Sequence, residues 1–345
     1  VQRRVKKVIV LFIELAVILA LFVYFGFLIA QDSDKFASTL SRLSIPFVCG
    51  LILIQLLMQA VGGLEWLIIH RQTGSKRSYF SLFTARLTGF AISYLTPSMY
   101  LGGEPARAAV IRDPGITYKK ALASVVLDKY IELSTKMPCI IVGFALLIII
   151  LKPEFFVIFI STLFIVFFVS LFLFLLIKLF NDKSFLLRFF KILVRPLLKI
   201  KPRLAVRIIL VVKEFQDDLS TIIKEKKAFY IASGIGFLIS LIEIMQTYYI
   251  ISFLYPTGYS HSMILIFSFI IYFSSLIFSL IPYPTPGGLG PVEGIYVIFF
   301  VLFGMQRADG LLYSLLLRMG QSVSIGAGLI NLFLRRLFKN RDKTV

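Results

Sequence analysis

Long apolar runs separated by short basic clusters set the pattern of this chain. Mostly apolar stretches lie near 8–30, 45–69, 121–150, 154–180, 228–253 and 311–334. Each reaches the roughly 20 residues that a helix needs to cross hydrocarbon, so each predicts a transmembrane span. Two further apolar regions, 79–110 and 263–305, are interrupted by proline and glycine, which break helices.

Basic residues predict the sides of the membrane. Arg3, Arg4, Lys6 and Lys7 precede the first run, which reads as a retained span, and belong inside. Residues 31–44 carry a balanced set of charges and form an outside loop. His70, Arg71, Lys76 and Arg77 return inside, and so do Arg107, Arg112, Lys119 and Lys120. Region 79–110 therefore enters and leaves by one face, as a re-entrant hairpin turning near Pro97. Region 263–305 is either a second hairpin entering from outside or two full spans joined by a tight inside turn at 282–291. The first alternative completes an inverted pseudo-repeat and is preferred. Both leave Arg335, Arg336, Lys339, Arg341 and Lys343 inside. The expected architecture is an all-α polytopic integral membrane protein with about six full spans and two re-entrant or broken helical hairpins. It forms a single membrane domain over 1–345, with halves 1–180 and 228–345.

The loop 181–227 between the halves holds 12 Lys/Arg and 5 Asp/Glu. Leu204, Ile208, Val211, Phe215 and Leu219 recur there at helical spacing, predicting an amphipathic helix that either lies on the cytoplasmic surface or links the halves.

The two interruptions resemble each other. Thr96-Pro97 leads through Gly102-Gly103 to Glu104, and Thr285-Pro286 leads through Gly287-Gly288 and Gly290 to Glu293. In each, the acid lies seven residues after the proline. A half-helix starting at such glycines points backbone N–H groups into a site, where they hold a phosphate or the helix's own glutamate. The bland alternative is turn formation with small-residue packing. Acids at this depth are expensive and therefore informative. Arg107, one turn after Glu104, either pairs with it, binds phosphate, or is an ordinary inside-flank arginine. Asp128, Lys129, Glu132 and Lys136 open the 121–150 span, and four charges there line a cavity or its mouth, or neutralise one another near the interface. Arg318 lies within the last span and calls for an acid partner such as Glu293. Arg86 is a similar case, and Glu65 and Glu243 are candidate counter-ions for these two arginines. Tyr94, Tyr100, Tyr248, Tyr249 and Tyr283 either orient headgroups or anchor at the interface.

Composition narrows the function further. Hydrophobic residues make up 58% of the chain, charged residues 16%, and the mean hydropathy is +0.90. The net charge of +19 would raise nucleic-acid binding in a soluble protein. Here the basic residues flank spans, as retention beside anionic lipid requires, so no nucleic-acid partner is expected. Two cysteines and two histidines offer no metal cluster, and no cofactor is implied. Neither a nucleophile elbow, a zinc-binding HExxH, a P-loop nor a dinucleotide fingerprint is present.

Taken together, Leu95-Thr96-Pro97 through Gly103-Glu104 and Arg107, then Val126-Leu127-Asp128-Lys129, then Pro286-Gly287-Gly288-Leu289-Gly290 with Glu293, and Arg318 in the closing helix resemble the membrane (flippase) region of the lysylphosphatidylglycerol synthetase/flippase family. The resemblance covers about 8–335. Relatives often have Glu-Lys or Glu-Arg where this chain has Asp128-Lys129. The resemblance implies an integral protein of the cell membrane that moves a phospholipid headgroup between leaflets; the basic clusters place both termini on the cytoplasmic side. Aminoacylated phosphatidylglycerol is the first substrate to consider. The synthase domain of full-length relatives is not found in these residues, so synthase activity is not carried over. Fusions to glycosyltransferases among relatives keep a second reading open. That reading is a membrane-embedded transferase, or an accessory protein, acting on polyprenyl-phosphate-linked or phospholipid substrates. Partners to expect are such a lipid, a separate lipid-modifying enzyme and a second copy of the chain. Phosphate would meet Arg107, Lys129, Arg318 and the glycine-rich helix starts. A cationic or hydroxylated headgroup would meet Glu104, Asp128 or Glu293, Glu132 is a further substrate-binding candidate, and Arg86, Pro97, Gly102, Gly103 and Pro286 play a secondary part in the site.

Overall fold

The computed structural model describes residues 32–96, 102–111, 116–152, 184–200, 202–223, 225–279 and 285–341, with a few single positions elsewhere. The predicted spans 8–30 and 154–180 and the turn at Pro97 fall outside these residues, apart from isolated positions.

Eleven α-helices follow in order among the described residues: α1 (Ser33–Ser41), α2 (Ile45–Arg71), α3 (Tyr79–Leu95), α4 (Glu104–Val110), α5 (Tyr118–Leu151), α6 (Phe185–Ile200), α7 (Pro202–Ile223), α8 (Lys226–Leu254), α9 (His261–Ser279), α10 (Pro291–Leu302) and α11 (Arg307–Arg341). Four of them, α2, α5, α8 and the 307–335 part of α11, are long and apolar enough to cross a membrane. They coincide with four of the six spans predicted from sequence.

Local chemistry starts the helices. The Ser44 hydroxyl accepts from Phe47 N at 3.3 Å and opens α2, with a proline in its first turn. Thr117 accepts from Lys120 N at 3.3 Å and opens α5. Ser78 does the same for α3, accepting from Ser81 N at 3.3 Å. The prolines and glycines of the two interruptions stop the helices where the sequence reading expects: α3 ends at Leu95 and α4 starts at Glu104, while α9 ends at Ser279 and α10 starts at Pro291. At 12 residues, α10 is about 18 Å long, too short to span hydrocarbon.

The core is largely apolar, but polar side chains of the spans also turn inward while large apolar ones face outward. On α2, Leu53 is 68% exposed while Gln55 and Gln59 are buried, as are Glu65 and His70 nearer its end. A lipid-facing surface explains that inversion, because only the protein interior satisfies polar groups. Helix α8 packs against α2, α5, α9 and α11, and α11 packs against α2, α3 and α10. Asn331 Nδ2 of α11 donates to Thr88 Oγ1 at 2.7 Å and to Thr84 O at 3.1 Å of α3, fixing the last helix beside the first interrupted segment.

The sequence pattern predicts one amphipathic helix in the basic loop, whereas two form. Helices α6 and α7 pack together, with Leu187 N donating to Gln216 Oε1 at 2.7 Å. Leu219 and Ile222 of α7 bury against Ile69, Leu127, Ile131 and Ala232. This contact ties the loop to the starts of α5 and α8.

Candidate functional site

Three groups of buried and half-buried charges lie between the helices. The first is built on Asp128, a fully buried residue of α5. Its Oδ2 accepts from Arg107 Nη2 of α4 at 2.6 Å and from Arg86 Nη1 of α3 at 3.3 Å. The Arg107 guanidinium lies 4.1 Å from the ring centroid of Trp66, a cation–π contact that holds its plane. Trp66 Nε1 donates in turn to Ser124 Oγ at 3.4 Å, and His70 Nδ1 shares that hydroxyl at 2.9 Å. Two guanidiniums on one carboxylate leave a net positive charge. Arg107 Nε and Asp128 Oδ1 are buried with no hydrogen-bond partner among the described residues.

The glycine elements make the first group possible. Ser93 Oγ accepts from Gly103 N at 2.9 Å, and a Cβ at Gly103 would lie 2.5 Å from that hydroxyl and closer still to the carbonyl of Gly89. Only glycine lets α4 approach α3 this closely, and that approach delivers Arg107 to Asp128.

The second group climbs α5. Lys129 Nζ holds Glu132 at 3.1 and 3.2 Å, and Lys136 bridges Glu132 at 3.4 Å to Glu243 of α8 at 3.1 Å. Tyr272 of α9 caps the ladder by donating to Glu243 Oε2 at 2.6 Å.

The third group joins the two interrupted regions. Glu293 Oε1 accepts from Arg318 Nε at 2.7 Å and from Ser314 Oγ at 3.1 Å. Its Oε2 accepts from Gly290 N at 2.7 Å, so the acid caps its own helix. Arg318 also donates to the Gly287 carbonyl at 3.2 Å and to the Tyr94 hydroxyl at the end of α3. Gly287 has φ +60°, and a Cβ there would lie 2.8 Å from the Tyr94 ring. Both the left-handed backbone and the ring contact require glycine.

The structure brings together most of the residues singled out from sequence. Arg86, Arg107 and Asp128 meet; Lys129 meets Glu132; Gly287, Gly290, Glu293 and Arg318 meet. Pro286 and Gly288 bound the tight turn beside them, and Gly102 precedes α4. The pairing of Arg318 with Glu293 agrees with the sequence reading. Three expected pairings differ. Arg107 turns to Asp128 rather than to Glu104, whose Oε2 is buried with no partner among the described residues. Arg86 takes Asp128 rather than Glu65 as its ion-pair partner, and Glu243 takes Lys136. Trp66 and Ser314 carry no signal in the sequence beyond their place within spans. Among the described residues no group of His, Cys, Asp and Glu is arranged to hold a metal ion.

A helical bundle with lipid-facing apolar surfaces, two broken segments meeting across its interior and ion pairs at the breaks defines a polytopic membrane protein. The chain belongs to the family described as the lysylphosphatidylglycerol synthase TM region, whose sequence model matches residues 11–326. It is also similar to a "UPF0104 membrane protein" of Methanothermobacter thermautotrophicus, 25% identical over 281 residues that cover 75% of this chain and 76% of the relative. No solved structure matches the chain.

Proposed function

We propose that this protein is a flippase that carries the phosphate-bearing headgroup of a membrane lipid between leaflets while the acyl chains stay in the bilayer. The contact of Tyr94, Gly287, Glu293 and Arg318 supports this reading most directly. It makes the two interrupted segments one structure, the arrangement used by transporters with a midplane site. The Asp128 group adds a buried guanidinium donor and a carboxylate acceptor, both still with bonding capacity, which suits a phosphate that also bears a hydroxyl or an amine. Lys129 and Lys136, each paired with an acid, continue a line of charged groups along α5 from that group. Shielding a charged headgroup this way avoids a cost of several kcal/mol or more in hydrocarbon.

Aminoacylated phosphatidylglycerol fits this chemistry: its phosphate matches Arg107 and Arg86, and its ammonium matches Glu104 and Asp128. In this reading region 263–305 is re-entrant and both termini are cytoplasmic, as the basic tails favour. The test is a leaflet-resolved assay on the full chain in vesicles, using fluorescent phosphatidylglycerol and its lysyl ester. Movement with the lipid chemically unchanged is the expected result. Conversion of the lipid into a new product would establish the transferase reading instead, and absence of both would refute the proposal.

A further inference from the structure

Glu65 of α2 has no place in the groups above. It is fully buried, and neither carboxyl oxygen has a hydrogen-bond partner among the described residues. The charged groups facing it are Arg86 from α3, Arg107 from α4, and Asp128 and Glu132 from α5. Helix α8 closes over it with Gly236, where a Cβ would lie 3.1 Å from Glu65 Oε1 and 2.8 Å from Thr135 Oγ1. On α11, Arg318 is held by Glu293 and Arg335 bonds Asn331.

Arg86 stands between two acids. Its guanidinium lies against Gly62, donating to that carbonyl at 3.2 Å. Gly62 is one turn before Glu65 and on the same face. The contact of Arg86 with Asp128, at 3.3 Å, is looser than that of Arg107 at 2.6 Å. Small movements of one long side chain would exchange Asp128 for Glu65.

We propose that Glu65 is the proton-binding site that couples headgroup movement to a proton gradient. The inference rests on the flippase reading and adds the coupling ion to it. With its proton on, Glu65 is neutral, and Arg86, Arg107 and Asp128 together carry one net positive charge that attracts a lipid phosphate. With its proton off, Glu65 takes Arg86 as its counter-ion, the four groups sum to zero, and the phosphate is released. The step makes and breaks one O–H bond. The proton arrives from water on one side of the membrane and leaves to water on the other.

Two measurements test this on the full chain. In detergent, at a pH high enough that the free protein has lost the Glu65 proton, proton uptake on binding of glycerophosphoglycerol, a phosphodiester that does not titrate in this range, is read by calorimetry in buffers of different ionisation enthalpy. About one proton is expected for the wild type and none for Glu65→Gln. Infrared difference spectra across the same binding step should show a carboxyl band that is absent from Glu65→Gln. In vesicles, a gradient of one pH unit should shift the leaflet ratio of fluorescent phosphatidylglycerol by up to about tenfold in the wild type. In Glu65→Gln the ratio should stay at one whatever the gradient. Binding without proton uptake in the wild type, equal uptake in both proteins, or a gradient-driven ratio in Glu65→Gln would each overturn the proposal. Vesicles in which the wild type moves no lipid would refute the flippase reading alone, because the uptake measurement needs no transport.

Discussion

Replacing Asp128 by asparagine removes the one carboxylate that two guanidiniums share. The Arg107 and Arg86 side chains are 7% and 13% exposed, and Asp128 is fully buried. Breaking a buried pair by removing one partner costs about 3–5 kcal/mol, because the remaining charge is left without compensation. Asparagine keeps the shape and one acceptor, and Arg107 keeps its face against Trp66, so the lower end, about 3 kcal/mol, is expected. At about 2.1 cal/mol/K of unfolding entropy per residue, a chain of 345 residues shifts by roughly 1.4 °C per kcal/mol, so the melting temperature in detergent should fall by roughly 4 °C. Arg107→Met should cost a similar amount. The double variant should cost less than the sum by about 1–3 kcal/mol, since each change removes the penalty left by the other. Arg86 limits the rescue, because it keeps its charge in both backgrounds. Thermal unfolding of the four proteins, followed by near-UV circular dichroism, measures the cycle. Single variants within about 0.5 kcal/mol of wild type, with additive effects, would refute the ion-pair account of this group.

Four further outcomes follow from the structure. Gly287→Ala places a Cβ against the Tyr94 ring on a left-handed backbone, so a loss of about 1–3 kcal/mol and of lipid movement is expected, by melting and by the leaflet assay. Glu293→Gln should destabilise the fold by about 1.5–3 kcal/mol, because Glu293 caps α10 and holds Arg318 through charge-assisted bonds. Glu104→Gln should leave stability within about 0.5 kcal/mol yet slow translocation; equal melting behaviour of these two variants would contradict the distinction between them. Lys119→Ala breaks an exposed pair with Glu214 between α5 and α7, and its cost should stay below about 1 kcal/mol and shrink in high salt.

The matched acids show how far sequence symmetry reaches. Glu104 and Glu293 stand at the same distance from their prolines, yet only Glu293 caps its own helix and holds a cation. Glu104 starts a helix of only seven residues, which packs on α5 and turns Arg107 toward a carboxylate 21 residues away. The local pairing of Glu104 with Arg107 loses to this tertiary one because the glycine contact of Gly103 with Gly89 sets where α4 lies. Arg318 and Glu293 were legible because both are charges inside apolar runs, where each must find the other or a similar partner. Helix α6 was not foreseen, as phenylalanine-rich sequence beside basic residues does not separate a surface helix from the flank of a span.

The chain by itself determined the four described spans, their breaks at Pro/Gly segments, the basic tails and the inward placement of charge. These depend on hydropathy and on backbone hydrogen bonds closed within a single segment, so the information is local. The tertiary structure decided which acid meets which cation: Asp128 rather than Glu104 for Arg107, Lys136 rather than an arginine for Glu243, and no donor at all for Glu65 among the described residues. A bond between helices depends on the rotation and depth of both. Close contacts such as Gly103 on Gly89 and Gly287 on Tyr94 set those quantities, through partners far apart in the chain.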